Sequence, residues 1–169
     1  IDKETSASPA PAKRLAQDLA AARVIDRSDM ADRLVHLLRN RQTEAGFDDS
    51  LFSNIPAFDL LGRIGLLDEI NTEQAKMYIL AQMNRTDADD SYSWGFTYGD
   101  PAVYYADFIT SAKAVRALYY LDPDKNDTEI QETIAHALDW MKNQQLVDGS
   151  FVPAGGYAGM EDPLINTAE

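Results

Sequence analysis

Trp140-Met141-Lys142-Asn143-Gln144-Gln145 ends a run of helical periodicity and opens into Leu146-Val147-Asp148-Gly149-Ser150-Phe151, a loop holding a glycine and an aromatic. Two earlier segments line up with it. Leu37-Leu38-Arg39-Asn40-Arg41-Gln42 precedes Gly46-Phe47, and Ile79-Leu80-Ala81-Gln82-Met83-Asn84 precedes Trp94-Gly95-Phe96. Each loop then reaches an X-Pro step, at Pro56, Pro101 and Pro163. Proline suits the first position of a helix, because the N–H it lacks has no helical partner there. The unit of helix, long loop, helix and short turn therefore recurs, which is the mark of a stacked helical array.

Apolar spacing fills in the helices around these segments. Leu15, Leu19 and Ala22 predict a helix over 12–25, and Ser28 as N-cap with Met30, Leu34, Leu37 and Leu38 predicts one over 28–41. A third is expected from Pro56 through Leu60, Leu61 and Ile64, closed by Gly65, and a fourth from Asn71 or Thr72 to Arg85. A fifth, over 101–121, carries Tyr104, Tyr105, Phe108, Ile109, Ala112, Val115, Leu118 and Tyr119. Thr128-Glu129-Ile130-Gln131 reads as a capping box for a sixth that turns Ile130, Ile134, Leu138 and Met141 inward. A seventh begins at Pro163, with Asp100 and Asp162 reading as N-caps before their prolines. Sustained period-two alternation with β-branched residues is not found, so the expected class is all-α. Antiparallel hairpins of this kind put the long loops on one rim, beside the positive ends of the proline-started helices.

Composition narrows the partners. The 169 residues hold 28 acidic and 15 basic side chains, a formal charge of −13, and the pI is about 4.4. Such acidity repels nucleic-acid phosphates and anionic lipid headgroups. With 45% hydrophobic residues and a mean hydropathy of −0.35, the chain has matter enough for a core. Cysteine is absent, and His36 and His136 stand far apart, so thiol chemistry, Cys-ligated zinc and a polyhistidine metal site are not expected. No metal and no cofactor are expected. Residues 1–11, rich in Ser, Ala, Lys, Glu and Pro, read as a leader or linker ahead of a domain over 12–169. A start at Ile1 and a seventh helix that stops at Glu169 point to a C-terminally truncated piece of a longer, exported or surface-displayed protein. The exposed end of such an array is expected to be covered by the remainder of the chain or by a second copy.

The segment from Trp140 to Phe151, followed by Asp162-Pro163-Leu164-Ile165-Asn166-Thr167-Ala168, resembles the prenyltransferase and squalene-cyclase repeat, with its aromatic, glutamine, Asp-Gly and second aromatic in place. That resemblance implies an α/α toroid. The helices at Pro56, Pro101 and Pro163 would be inner, those at Ser28, Thr72 and Thr128 outer, and the arc an incomplete ring of about three hairpins. Protein prenyltransferases hold zinc through Asp, Cys and His, and complement-like thioester domains need a reactive cysteine; this chain departs from both.

Three constellations bear on chemistry. Asp87-Ala88-Asp89-Asp90 matches the DxDD signature of class II terpene cyclases, in which Asp89 would be the general acid with Asp87 and Asp90 as partners. It is followed by Ser91-Tyr92-Ser93-Trp94 rather than the inner-helix start of that family, and in a chain with 28 carboxylates a solvated acidic loop is the reading preferred for it. Asp122-Pro123-Asp124-Lys125-Asn126-Asp127-Thr128 offers oxygens at alternate positions but has Asp127 and Thr133 where a calcium loop needs glycine and a bidentate acid, so a capped turn is expected. Tyr92, Trp94, Phe96, Tyr98, Tyr104 and Tyr105, with Phe151 and Tyr157 in the last loop, could line a mouth for an apolar or ring-bearing ligand or plug the gaps between hairpins. His36 and His136, both within outer helices, read as ordinary helix-surface or satisfied interface residues. The leading expectation is a non-catalytic toroid module that binds or scaffolds, with a cyclase or a carrier like the cobalamin-binding toroids as alternatives.

Overall fold

In a computed structural model, which describes residues 10–48, 50–86 and 90–151, the spacing of Leu15, Leu19 and Ala22 buries one face of helix α1 (Ala12–Val24). Helix α2 (Ser28–Arg41) buries Leu34 and Leu38. Helix α3 (Leu51–Arg63) buries Ile55, Phe58 and Leu61. Helix α1 packs against both α2 and α3. A 3₁₀ turn at Leu67–Glu69 leads into α4 (Thr72–Ala81), which adds Tyr78 and Ile79. One compact unit ends at Ala81 and a second begins at Gln82.

Two starts in the first unit differ from expectation. Ser28 is the first helical residue of α2, with Arg27 in the cap position. Helix α3 starts at Leu51 and carries Pro56 inside it, in its second turn. The cause lies in the loop before it. Asn54, fully buried, accepts the backbone N–H groups of Phe47 (2.9 Å) and Asp48 (3.2 Å) and donates to the carbonyl of Asp48. These bonds fix the loop against the first turn, so the helix is set before the proline is reached. Pro56 donates nothing to the carbonyl four residues back, and burial of Ile55, Ala57, Phe58 and Leu61 around it offsets the lost bond. Gly65 closes α3 as expected. At φ +69 it lets Leu66 N–H reach the carbonyl of Leu61 and its own N–H reach that of Gly62, a Schellman closure in which buried Leu66 covers the helix end.

The second unit is where all-α fails. Strand β1 (Asn84–Thr86) pairs antiparallel with β2 (Ser91–Ser93), and β3 (Gly95–Tyr98) with β4 (Val103–Ala106), as two separate two-stranded sheets. Among the described residues the fold is mainly helical, with two small hairpins added. Helix α4 therefore stops at Ala81 and not at Arg85. Helix α5 (Phe108–Leu121) starts seven residues after Pro101, capped by Asp107, whose carboxylate accepts Thr110 N–H at 2.7 Å, and not by Asp100. The physical reason is an alternation of aromatics at Tyr92, Trp94, Phe96 and Tyr98 with Ser93, Gly95 and Thr97, a period of two that suits an extended chain by putting the large side chains on one face and the small ones on the other. Val103, Tyr104 and Tyr105 are equally strand-prone.

Helix α6 (Thr128–Asn143) is capped by Asp127, which accepts Ile130 N–H at 3.1 Å, rather than by Thr128. Its buried stripe is Ile130, Thr133, Ala137 and Trp140. Leu138, expected inside, is exposed. Helix α6 packs on β2 and on α5, and α5 touches β3. The turn between α5 and α6 is organised by Asp122, a buried carboxylate that accepts from Asn126 N–H (2.9 Å), Asp127 N–H (3.2 Å) and Gln131 Nε2 (2.6 Å). Its oxygens face backbone and amide donors, as a capped turn requires. Asp87, Asp89, Tyr157, Asp162, the helix expected at Pro163 and residues 1–9 lie outside the described residues. No helix among the described residues is long and apolar enough to cross a membrane.

Candidate functional site

The register of the second hairpin sorts its aromatics. Phe96 pairs with Tyr105 and Tyr98 with Val103, so these four share one face, while Gly95, Thr97, Tyr104 and Ala106 share the other. On the first face Phe96 and Tyr105 stack with centroids 5.7 Å apart and planes 26° from parallel. Tyr98 is 65% exposed beside them, and Val103 is also exposed. The hairpin can close this tightly because Gly95 has no side chain: a Cβ there would stand 1.9 Å from the carbonyl oxygen of Tyr105.

The opposite face carries half-buried Tyr104 beside exposed Thr97. Tyr104 places its hydroxyl 3.2 Å from Ser93 Oγ. Burial pushes its phenol pKa above the ordinary tyrosine value, opposed by the Ser93 hydrogen bond. Trp94 is fully buried, and its backbone is held at both ends. Its N–H donates to Ser111 Oγ at 2.9 Å, and its carbonyl accepts from Asp107 N–H at 2.8 Å. Ser111 Oγ also lies 3.1 Å from the Trp94 carbonyl and 2.8 Å from that of Asp107, and its single proton serves one of them. Trp94 is thus a plug that anchors both hairpins to α5. The Phe151 ring lies tilted against buried Phe108, with centroids 4.6 Å apart, and Phe108 lies 6.1 Å from Trp140, so Phe151 belongs to the packing around the start of α5.

A second cluster sits on the first hairpin. Arg85 lies over the ring of Tyr92 at 5.1 Å, Tyr92 over that of His136 at 4.6 Å, and His136 Nδ1 is 3.3 Å from Asp90 Oδ2. His136, one of two histidines read from sequence as helix-surface or satisfied interface residues, packs under the first hairpin in the second of these ways. Asp90 itself is 72% exposed. Among the described residues no group of three or more His, Cys, Asp or Glu side chains is arranged to hold a metal ion.

Of the aromatics singled out by sequence, Phe96, Tyr98 and Tyr105 come together on one accessible surface. Tyr92, Trp94, Tyr104 and Phe151 are engaged in holding the unit together. Ser111 and Asn54 were not singled out, since a lone Ser or Asn in a helix carries no signal of its own. No protein-family model, no curated protein and no solved structure matches the chain.

Proposed function

We propose that the chain is a non-catalytic binding module built from α/α-toroid repeats of the prenyltransferase and squalene-cyclase kind, part of an exported or surface protein, and that it takes a ring-bearing ligand on the outer face of the β3–β4 hairpin. The observation that carries the binding site is the open face of Phe96, Tyr98, Val103 and Tyr105. A half-buried stack flanked by exposed Tyr98 suits a sugar ring, which can lay its C–H face on an aromatic while its hydroxyls stay in water; an apolar molecule would need a concave pocket. Support for the repeat reading comes from the helix starts: the fourth residue of α3, Asn54, and the fourth residue of α5, Ser111, each bind the backbone of a preceding loop aromatic.

The cyclase alternative asks more of the acidic loop. Protonating an alkene requires a site closed to water, whereas Asp90 faces solvent. Binding is tested on an array of neutral oligosaccharides, followed by calorimetric titration of the best one. Tyr98→Ala is expected to weaken it about threefold to tenfold, the value of one aromatic contact, with thermal stability unchanged because the side chain is exposed. A ligand whose affinity ignores Tyr98→Ala and Phe96→Ala would remove this face from the proposal.

A further inference from the structure

Two stretches of the chain fit the pattern Asn-x-Thr with x other than proline: Asn84-Arg85-Thr86 and Asn126-Asp127-Thr128. This pattern is the acceptor sequence for N-linked glycans, and it serves where the asparagine lies on the surface of an exported protein. The fold treats the two stretches differently. Asn84 opens β1, sits opposite Ser93 in the antiparallel pair and is half-buried, with Nδ2 3.4 Å from Thr86 Oγ1. A transferase has to open the first hairpin before it can take hold of that backbone.

Asn126 lies in the turn between α5 and α6, outside any helix or strand, and is exposed. The Asp122 network that organises this turn uses the backbone N–H of Asn126, at 2.9 Å, and leaves its side-chain amide out. Thr128 is not needed for the helix cap. Asp127 fills that role by accepting Ile130 N–H at 3.1 Å, and Thr128 stands exposed at the first helical position. The two side chains that the acceptor sequence requires, an amide and a hydroxyl two residues on, are therefore both at the surface, while Asp122 and Asp127 hold the turn in shape.

We propose that Asn126, and not Asn84, is the acceptor of an N-linked oligosaccharide. The donor is an oligosaccharide carried on a polyprenyl diphosphate, and the oligosaccharyltransferase of the exporting cell catalyses the transfer. A bond forms between Asn126 Nδ2 and C1 of the first sugar, the bond from C1 to the diphosphate oxygen breaks, Nδ2 gives up one proton, and polyprenyl diphosphate leaves. The proposal rests on the exported character proposed above. It leaves the β3–β4 face clear, because Trp94 anchors the hairpins at the start of α5 and the turn follows its end, about 20 Å along a helix of 14 residues.

The test is to express the chain behind a signal peptide in cells whose export route carries this transferase. The folded, secreted protein is read by intact mass, and by peptide mapping after an amidase has released the glycan and turned the modified asparagine into aspartate. One glycan per chain is expected, at Asn126. Asn126→Gln and Thr128→Ala should each abolish it, and Asn84→Gln should leave it unchanged. Asn126→Gln keeps the backbone N–H that Asp122 accepts, and circular dichroism melting checks that each variant is folded. A folded, secreted chain without a glycan overturns the proposal, as does a glycan on Asn84 or one that survives Asn126→Gln or Thr128→Ala. Because the signal peptide is supplied, failure counts against the acceptor and not against export, which locating the natural protein in its own cells with an antibody reads separately.

Discussion

The two units solve one problem with different amounts of chain. In the first, nine residues join α2 to α3, an isolated bridge between Thr43 and Gly46 shapes the turn, and Asn54 reaches back to hold Phe47. In the second, the segment between α4 and α5 has grown into two hairpins, yet Ser111, at the matching position of its helix, reaches back to hold Trp94. The aromatic is buried in both cases, against Phe58 at 4.9 Å in the first and fully enclosed in the second. A loop can therefore lengthen without loosening as long as one aromatic is pinned at its base. The added residues, free of that duty, are the ones that form an open surface.

The comparison is most easily broken at the aromatics. Trp94→Ala removes a fully buried indole and is expected to cost about 3–5 kcal/mol, read from urea unfolding followed by far-UV circular dichroism. Phe47→Ala should cost toward the lower end of the same range, because the ring is smaller and slightly exposed. If Trp94→Ala lost less than about 1 kcal/mol, the indole would not be an anchor and the parallel between the units would fall.

The polar clamps sharpen the parallel. Asn54→Ala leaves the N–H groups of Phe47 and Asp48 without that acceptor and the Asp48 carbonyl without that donor, an expected loss of about 2–3 kcal/mol. Ser111→Ala removes a smaller set, chiefly the acceptor of Trp94 N–H, because Asp107 N–H still serves the Trp94 carbonyl; about 1–2 kcal/mol is expected. The same denaturation series orders them. A larger loss at Ser111 than at Asn54 would mean that the hairpins depend on the clamp more than the short loop does.

Sequence showed much of the first unit, and for a physical reason. Its helices are amphipathic, so Leu15, Leu19, Leu34 and Leu38 announce their faces by spacing, and Gly65 announces a left-handed closure. Pro56 misled because a proline tolerated inside a buried helix looks the same in sequence as one that starts a helix. The hairpins were hidden differently. Tyr92, Trp94, Phe96 and Tyr98 do alternate, but with Ser, Gly and Thr between them in place of a β-branched run, and repeat alignment drew 101–121 into one helix. Pairing across the hairpin supplied the backbone hydrogen bonds that decided otherwise. The shared face of Phe96, Tyr98 and Tyr105 follows from register alone, which no spacing along a single strand can reveal.

The smallest expected effect concerns how helices end. Helices α1 and α3 close by the same geometry: Arg27 N–H reaches the Ala22 carbonyl and Asp26 N–H that of Arg23, as Leu66 and Gly65 do on α3. The left-handed position differs. Gly65 occupies it at φ +69, Asp26 at φ +55. A Cβ in that region crowds the following backbone, and aspartate tolerates it better than most residues but less well than glycine. Asp26→Gly should relieve this strain while also gaining unfolded-chain entropy that opposes folding, leaving a net stabilisation below about 1 kcal/mol. The reverse change, Gly65→Ala, meets no side chain or backbone within 4 Å, so its cost isolates the backbone conformation itself, about 1 kcal/mol. Measured together by thermal unfolding, the pair separates the effect of φ from that of packing. Stabilisation by Asp26→Gly with destabilisation by Gly65→Ala means that both turns are governed by the backbone; a loss at Asp26→Gly means that the aspartate side chain contributes more than its strained backbone costs.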